Sequence, residues 1–526
     1  MNSRRRFLQG ILQTTGALAL TGCVTQSDPV SEPQPDALDP ASGGPATAAL
    51  GPEALPDGLK RENFHVHNER PLALEAKRSA LGIAMITPLS RFFVRNNLPR
   101  PDDSIVAQPG AWTLEVAGVK QPGEITLGAL KQLGAETLTM VIQCSGNGRK
   151  FFEHGPSGSP WSTGAAGCAM WTGVRVSTVL AHFGGVAAGA RFLTGTGGEP
   201  LPEGVERDLV VVERSVPIEK GLQDCMLVWE MNGEPLPISH GGPLRLLVPG
   251  YFGCNQIKYV ARLAATAVET TAKIQSKGYR FRPIGEGGNA EQPSLWRMPV
   301  KSWVNGPGAD GQPVLAGPSI FYGVAFSGER GVQGVEVSLD GGESWRRATL
   351  SGPDLGPNAW RSFQFTAQLS PGAHSIVSRA TDREGEQQPQ ERNENERGYQ
   401  NNGWEDHVLA VTVVSELPAA ALAKPVENPP STQPVAAQPV ELSEKGQRGR
   451  EVFAENASPS CGTCHTLADA GTQGAVGPNL DTLAPDAART QAAVSKGVGV
   501  MPAFPKLSPE QVSDLATYVV EATAKP

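Results

Sequence analysis

The segment SCGTCHTLADAG, residues 460–471, constrains this chain more than any other stretch. Cys461 and Cys464 flank two residues and His465 follows at once, which is the C-x-x-C-H pattern of c-type haem attachment. The spacing lets two thiols form thioethers to a haem while the next residue offers its imidazole to iron. The stretch before it, GQRGREVFAE (446–455), reads as an amphipathic helix leading into the motif. A zinc half-site is the competing interpretation of the same residues. The export signal described below and the segment MPAF (501–504) argue against it.

That motif accounts for the end of a much longer chain. The protein has 526 residues, too many for one core, so two to four domains are expected. A net charge of −8 gives no reason to expect nucleic-acid binding. The first residues, MNSRRRFLQG and then ILQTTGALALTGC, form a basic region followed by a short apolar run, the pattern of an export signal. Ser3 to Leu8 resembles the twin-arginine motif. The run from Ile11 to Leu20 is short for a membrane span. It ends at Leu20-Thr21-Gly22-Cys23, similar to a bacterial lipoprotein cleavage box. Either Cys23 carries lipid and tethers a periplasmic protein to a membrane, or ordinary cleavage leaves it unmodified. Cys168, Cys225 and Cys254 cannot all pair with one another and are expected to be buried thiols.

Texture divides the rest. Residues 24–74 form a tether and N-terminal extension, rich in Pro, Ala, Ser and Gly at its start. Residues 75–272 alternate short β-rich and helical runs, as in TLTMVIQC (137–144) and PLRLLVPG (243–250), and predict a mixed α+β domain. Residues 273–415 read as strands. In GVEVSLDGG the apolar alternation at Val335, Val337 and Leu339 runs into Asp340-Gly341-Gly342, a hairpin signal. An immunoglobulin-like sandwich is expected there. Residues 416–440 carry six Pro and six Ala, a semi-rigid linker. Fully extended it would reach roughly 75 Å at about 3.1 Å per residue. The haem motif lies in a final helical module, 441–526.

That module resembles class I cytochromes c: the motif, then GPNL (477–480), MPAF (501–504) and a closing helix SPEQVSDLATYVVEA (508–522). The resemblance implies one haem c, with His465 and Met501 as its axial ligands. A haem carrier implies redox chemistry elsewhere in the chain. The candidate is VIQCSGNGRKFF (141–152), where a cysteine follows a strand and meets a glycine-rich turn. A thiolate is a soft metal ligand, and glycines beside an arginine suit an anion. The residues alone say only that a metal or oxyanion lies near Cys144.

Residues from about 75 to 410 are similar to the sulfite oxidase family, which carries a molybdenum–pterin cofactor. The similarity rests on RFFVRNNLPRP (91–101), QCSGNGR (143–149), PWSTGAAGCAMWTGV (160–174), WEMNGEPLPISHGGPLRLLVPG (229–250) and NERGYQNNGW (395–404), in that order. It implies that Cys144 ligates molybdenum. It implies an oxyanion site built from Arg95, Arg149 and Arg397 with Tyr279, and Trp161 lining the pocket. His240, Arg245 and the run Gln256, Ile257, Lys258 match cofactor-binding positions. Asn97 sits in the cofactor region where the vertebrate pattern has histidine, which puts any tuning role there in doubt. Cationic forks suit a small dianion. His65 and His67, in FHVHNE, have no third ligand in the sequence and are expected at a surface or cofactor edge; Cys254 is expected to be packing.

The resemblance implies a molybdenum-dependent sulfite dehydrogenase that passes electrons through its own haem to an external acceptor such as a soluble cytochrome c. Its second domain is of the kind used for homodimers. A sulfane dehydrogenase or other sulfur-compound oxidoreductase of the same family, and an inactive electron relay, are the alternatives.

Overall fold

The computed structural model describes residues 55–69, 71–201, 206–417, 442–457, 460–473, 480–496 and 503–524. The export signal with Cys23, residues 418–440 of the linker, and Met501 lie outside these residues.

The first domain is built on two five-stranded sheets. In one, Glu136–Gln143 pairs with Ala166–Arg175, which pairs with Met226–Met231. Alternate residues of these strands face two different cores. Met140 and Ile142 join Trp171, Met226, Val228 and Cys144 in one cluster. Val141 faces another with Ala166 and Cys168, and Leu227 and Trp229 face the main core. A strand buried on both faces loses the polar half of its period, which is why TLTMVIQC reads as one apolar run. The other sheet runs Gly123–Thr126, Thr113–Ala117, Val260–Thr266, Phe192–Gly197, Glu213–Pro217. Leu114, Val116, Leu193 and Leu263 fill the core between the sheets.

The second domain packs two sheets around one core. Lys301–Gly306, Gly317–Phe326, Arg361–Leu369 and Thr349–Ser351 form one. Val332–Ser338, Gly372–Asp382 and Leu409–Val414 are central to the other. Phe363, Phe365, Ala367 and Leu369 point inward and meet Val335, Val337 and Val411. The expected hairpin forms: Glu336 is opposite Arg347, and Gly341 and Gly342 take positive φ of 74° and 106° in the turn.

The two domains are stitched together. Asn358 O accepts from Val141 N at 2.9 Å, so the second domain caps a strand of the first. The returning segment 395–404 lies on the Cys144 turn: Gln400 N donates to Ser145 O at 3.0 Å and Asn401 Nδ2 to Gly148 O at 3.0 Å.

The final module is helical. The helices Glu444–Glu451 and Pro509–Thr523 cross closely, and a Cβ at Gly449 would run into the Asp514 carbonyl, so only glycine permits the approach. Ser508 and Gln511 form a reciprocal capping box that starts the last helix where the sequence predicts it. Val452, Phe453, Leu515 and Val519 supply the core. This module touches the first domain through Arg489, whose two terminal nitrogens each lie 3.0 Å from a carboxylate oxygen of Glu230.

Candidate active site

Glu136–Gln143 delivers Cys144 at its end, and the chain then turns sharply. Asn147 N donates to Cys144 O at 3.0 Å, and Cys144 N is held by Ala165 O at 2.9 Å. Gly148 turns with φ of 101°, and a Cβ at Gly146 would overlap the Arg149 guanidinium. Each glycine of SGNG therefore has a steric reason to be there.

Cys144 opens into a cleft. Arg95, Asn97, His240, Arg245 and Tyr279 line it, with Gln256, Ile257 and Lys258. Arg95 and Tyr279 are 184 positions apart in the chain. Tyr279 Oη lies 3.4 Å from Asn97 Oδ1.

The cleft is short of negative charge. Burial holds the Lys258 ammonium well below its ordinary range, and Arg245 and Arg95 push it the same way. Its Nζ donates to Asn96 Oδ1 at 2.6 Å and Ser239 O at 2.5 Å, neutral acceptors both. Burial lowers Arg245 to about 10 and leaves its Nε without a partner. His240 is pushed well down by burial and then by Lys258 and Arg245. The Glu199 carboxyl, buried in the same cleft, is pushed up to about 7 by desolvation. Cations that cost this much to bury call for a bound anion. A molybdenum–pterin cofactor, which brings a phosphate and a metal that takes a thiolate, fits the donor set, since Cys144, Lys258 and Arg245 all line this cleft.

Arg149, Trp161 and Arg397 are not among the residues lining this cleft. Arg149 is buried, donates from Nε to Arg397 O at 2.9 Å and from Nη1 to Ser159 O at 2.8 Å, and stacks 5.3 Å over Tyr399. The Arg397 Nε is buried with no partner. Trp161 is fully buried in the cluster containing Cys144, its indole N–H unpaired. His67 packs edge-on against Trp161 with rings 4.9 Å apart and bonds Glu75 Oε2 at 2.6 Å. His65 is exposed, and a bulge between Val66 and Asn68 shifts the strand register beside it. Cys168, Cys225 and Cys254 form no disulfide. Burial raises the first two thiols, Cys168 to about 12. Cys254 was expected only to pack, but it lines the cleft.

Sequence reasoning missed several neighbours. Glu199 and Asn96 line the cleft. Tyr399 lies 5.4 Å from Tyr279, ring to ring. Lys301, fully buried on the second domain, donates to Asn147 O at 3.2 Å and Asn401 O at 2.6 Å. Arg214 stacks 5.5 Å over Tyr279 and is held by Asn255 Oδ1 at 3.0 Å. Asn96 and Tyr399 fall inside quoted motifs; Lys301 and Arg214 carry no local signal.

In the last module Cys461–Cys464 is one helical turn. Cys461 and His465 are buried, and His465 N donates to Cys461 O at 3.0 Å. Two thiols on one turn with an adjoining buried imidazole are the donor set a covalent haem requires.

Three family models match in succession: "Oxidoreductase molybdopterin binding domain" over residues 99–274, "Mo-co oxidoreductase dimerisation domain" over 292–412, and "Cytochrome C oxidase, cbb3-type, subunit III" over 444–519. The chain is 31% identical to mitochondrial sulfite oxidase of Rattus norvegicus over 379 residues, covering 68% of this chain and 67% of that one. It is 31% identical to sulfite oxidase of Gallus gallus over 376 residues, 68% of this chain and 76% of that one. Among solved structures it is similar to the sulfane dehydrogenase SoxCD from Paracoccus pantotrophus, with a TM-score of 0.57 and 26% identity, covering 71% of this chain and 96% of that one.

Proposed function

As the chain belongs to the sulfite oxidase family of molybdenum–pterin enzymes, with a cytochrome c domain fused behind, we propose that it oxidises sulfite to sulfate. Sulfite and water give sulfate, two protons and two electrons. When bound, the molybdenum–pterin group supplies two-electron oxygen-atom transfer, and the haem c carries electrons singly.

The chain's own residues do the rest. Cys144 would hold the metal. Lys258 and Arg245 would offset the charge of the pterin's anionic end and His240 would offer it a hydrogen bond, with Gln256 and Ile257 lining the cleft beside them. Arg95 faces the reacting end of the cleft with Tyr279 and Asn97 and attracts the dianion by charge. Arg149 and Arg397 bring further cationic charge behind Tyr399, and Trp161 packs beneath Cys144. At the other end Cys461 and Cys464 would attach the haem, and His465 and Met501 would bind its iron.

The observation that carries this reading is the single chain that joins an anion-seeking cleft, with Cys144 in its wall, to a haem-attachment turn. The Arg489–Glu230 ion pair brings the two modules into contact, and Glu230 belongs to a strand whose Val228 and Met231 pack in the Cys144 cluster. We read the two-sheet domain as an immunoglobulin-like dimerisation domain and the protein as a homodimer. Its N-terminal residues support export by the twin-arginine route to the periplasm, with Cys23 as a lipid tether, and a soluble cytochrome c as acceptor.

The test is anaerobic addition of sulfite to the oxidised, molybdenum-loaded protein while following the haem spectrum. Prompt haem reduction is expected. No reduction would overturn the sulfite assignment and favour the second reading, oxidation of sulfane sulfur, which the likeness to SoxCD supports.

A further inference from the structure

The segment 161–165 touches both ends of the Cys144 turn. Cys144 N donates to Ala165 O at 2.9 Å and Lys150 N donates to Trp161 O at 3.0 Å, while Ala165 N donates to Asn147 Oδ1 at 3.1 Å. Whatever fixes this segment therefore fixes the metal-binding cysteine and the fully buried Trp161 together. What fixes it comes from the N-terminal extension, ahead of the residues 99–274 that match the molybdopterin-binding model.

Glu75 lies on the strand Leu72–Ala76 and is 1% exposed. Its Oε1 accepts from Ser162 N at 2.9 Å, from Gly164 N at 2.9 Å and from the Ser162 hydroxyl. Its Oε2 accepts from His67 Nε2 at 2.6 Å. Burial pushes the carboxyl up, but the bonds from His67, Ser162 and Gly164 outweigh it and hold Glu75 below its ordinary range. The segment and the strand meet closely: a Cβ at Gly164 would run into the Ala76 carbonyl, so only glycine fits there.

His67 is the extra residue of a bulge, between Val66 opposite Leu74 and Asn68 opposite Ala73. A bulge can re-aim a side chain, and the His67 ring meets both the Glu75 carboxylate and the Trp161 indole. The strand that carries Glu75 also pairs with the strand that carries Arg95, with Ala73 opposite Arg95. One short sheet places Arg95 in the cleft and Glu75 against the segment that holds Cys144.

A buried carboxylate is a costly way to hold a loop, since a backbone carbonyl could take any one of these N–H groups. What it adds is charge-assisted hydrogen bonds, shorter and stronger than neutral ones, that draw several donors to one point. We infer that Glu75, oriented by His67, is a positioning residue of the molybdenum centre: it sets Trp161 and the Cys144 turn relative to Arg95. The kinetic part of its test rests on the proposed reading, and the spectroscopic part does not.

The test uses the intact holoenzyme and three variants, Glu75→Met, Glu75→Gln and His67→Phe, with molybdenum and haem contents measured first. Glutamine keeps an oxygen for Ser162 and Gly164. Phenylalanine keeps a ring beside Trp161 but gives up the bond to Glu75. The molybdenum(V) electron paramagnetic resonance spectrum, generated with dithionite, is expected to shift in Glu75→Met. It should shift the same way, but less, in His67→Phe, and return toward the wild type in Glu75→Gln. With sulfite as substrate, Glu75→Met is expected to lower kcat at least about tenfold while KM changes by less, because misplacing a reacting group by about 1 Å can cost roughly 100-fold. A wild-type spectrum and kcat in molybdenum-loaded Glu75→Met would overturn the assignment. So would a Glu75→Met chain that loses stability or molybdenum while His67→Phe matches the wild type in spectrum, kcat and KM, since that marks a structural role alone. If the wild type does not oxidise sulfite, the dithionite spectra still decide Glu75, so the two failures are distinguishable.

Discussion

The haem module and the molybdenum cleft solve the same problem, holding a redox group, in opposite ways. The module concentrates its chemistry in one turn: Cys461, Cys464 and His465 are neighbours in sequence, and covalent attachment makes precise packing less critical. The cleft gathers Arg95, Cys144, His240, Lys258 and Tyr279 from separate elements, and Tyr279 is backed by Tyr399 from the returning segment of the second domain. The first kind of site should be broken by few substitutions and damaged by little else. The second should be sensitive to residues that touch no ligand.

The largest test of that contrast is Cys144→Ser. Sulfite-driven haem reduction should fall by at least ~10³-fold, while dithionite still reduces the haem and its spectrum is unchanged. His465→Ala is the mirror image. Haem-linked turnover should be lost, but sulfite should still reduce an artificial acceptor that draws electrons directly from the first domain.

Lys301→Met probes sensitivity at a distance. It strips hydrogen bonds from Asn147 O and Asn401 O, and should cost about 1–3 kcal/mol per acceptor left buried and unpaired. Activity should fall with it, because Asn147 belongs to the Cys144 turn. The substitution also has a pH signature. Burial lowers the Lys301 ammonium from 10.5 to about 7. Between those values the unfolded chain binds a proton that the folded chain does not, so stability rises with pH across that window. Denaturant titrations from pH 7 to above 10 should show this rise in the wild type and a flatter profile in Lys301→Met. A matched slope in both would remove Lys301 from the account.

Gly449→Ala should weaken the haem module alone, by about 1–3 kcal/mol, through the collision with Asp514. Thermal melting followed at the Soret band should shift while sulfite reduction of a direct acceptor does not. The smallest effect belongs to Arg489→Glu. An exposed pair contributes about 0.2–1 kcal/mol, so intramolecular electron transfer should slow only a few-fold, more at low salt than high. Adding Glu230→Arg should restore it. A rate indifferent to both changes would detach the observed contact from electron transfer.

How much was legible follows from where each signal lives. The hairpin at Gly341-Gly342 and the Ser508 cap are local backbone events, and both appear where the residues predict them. Cys144 was legible because a strand running into SGNG is unusual. Glu199 was not, since a glutamate after two glycines looks like a surface turn until burial pushes its carboxyl up to about 7. Cys254 lines the cleft, although its neighbours read as packing. Arg149, which the resemblance groups with Arg95, stacks on Tyr399 and bonds backbone carbonyls instead of lining the cleft, and no spacing in the sequence distinguishes a guanidinium that faces a cleft from one that braces it.

By itself the sequence determined the covalent haem turn, the order of the modules, and the strand that carries Cys144, because each is set by adjacent residues or by a two-residue period. Only the tertiary structure decided which cations share one cleft, which arginines lack partners, and that Lys301 ties the Cys144 turn to the second domain. Those are contacts between residues up to some 250 positions apart, as in Arg149 with Arg397. Burial, which moves Lys258, Arg245 and Glu199 from their ordinary charge states, exists only once the chain has closed around them.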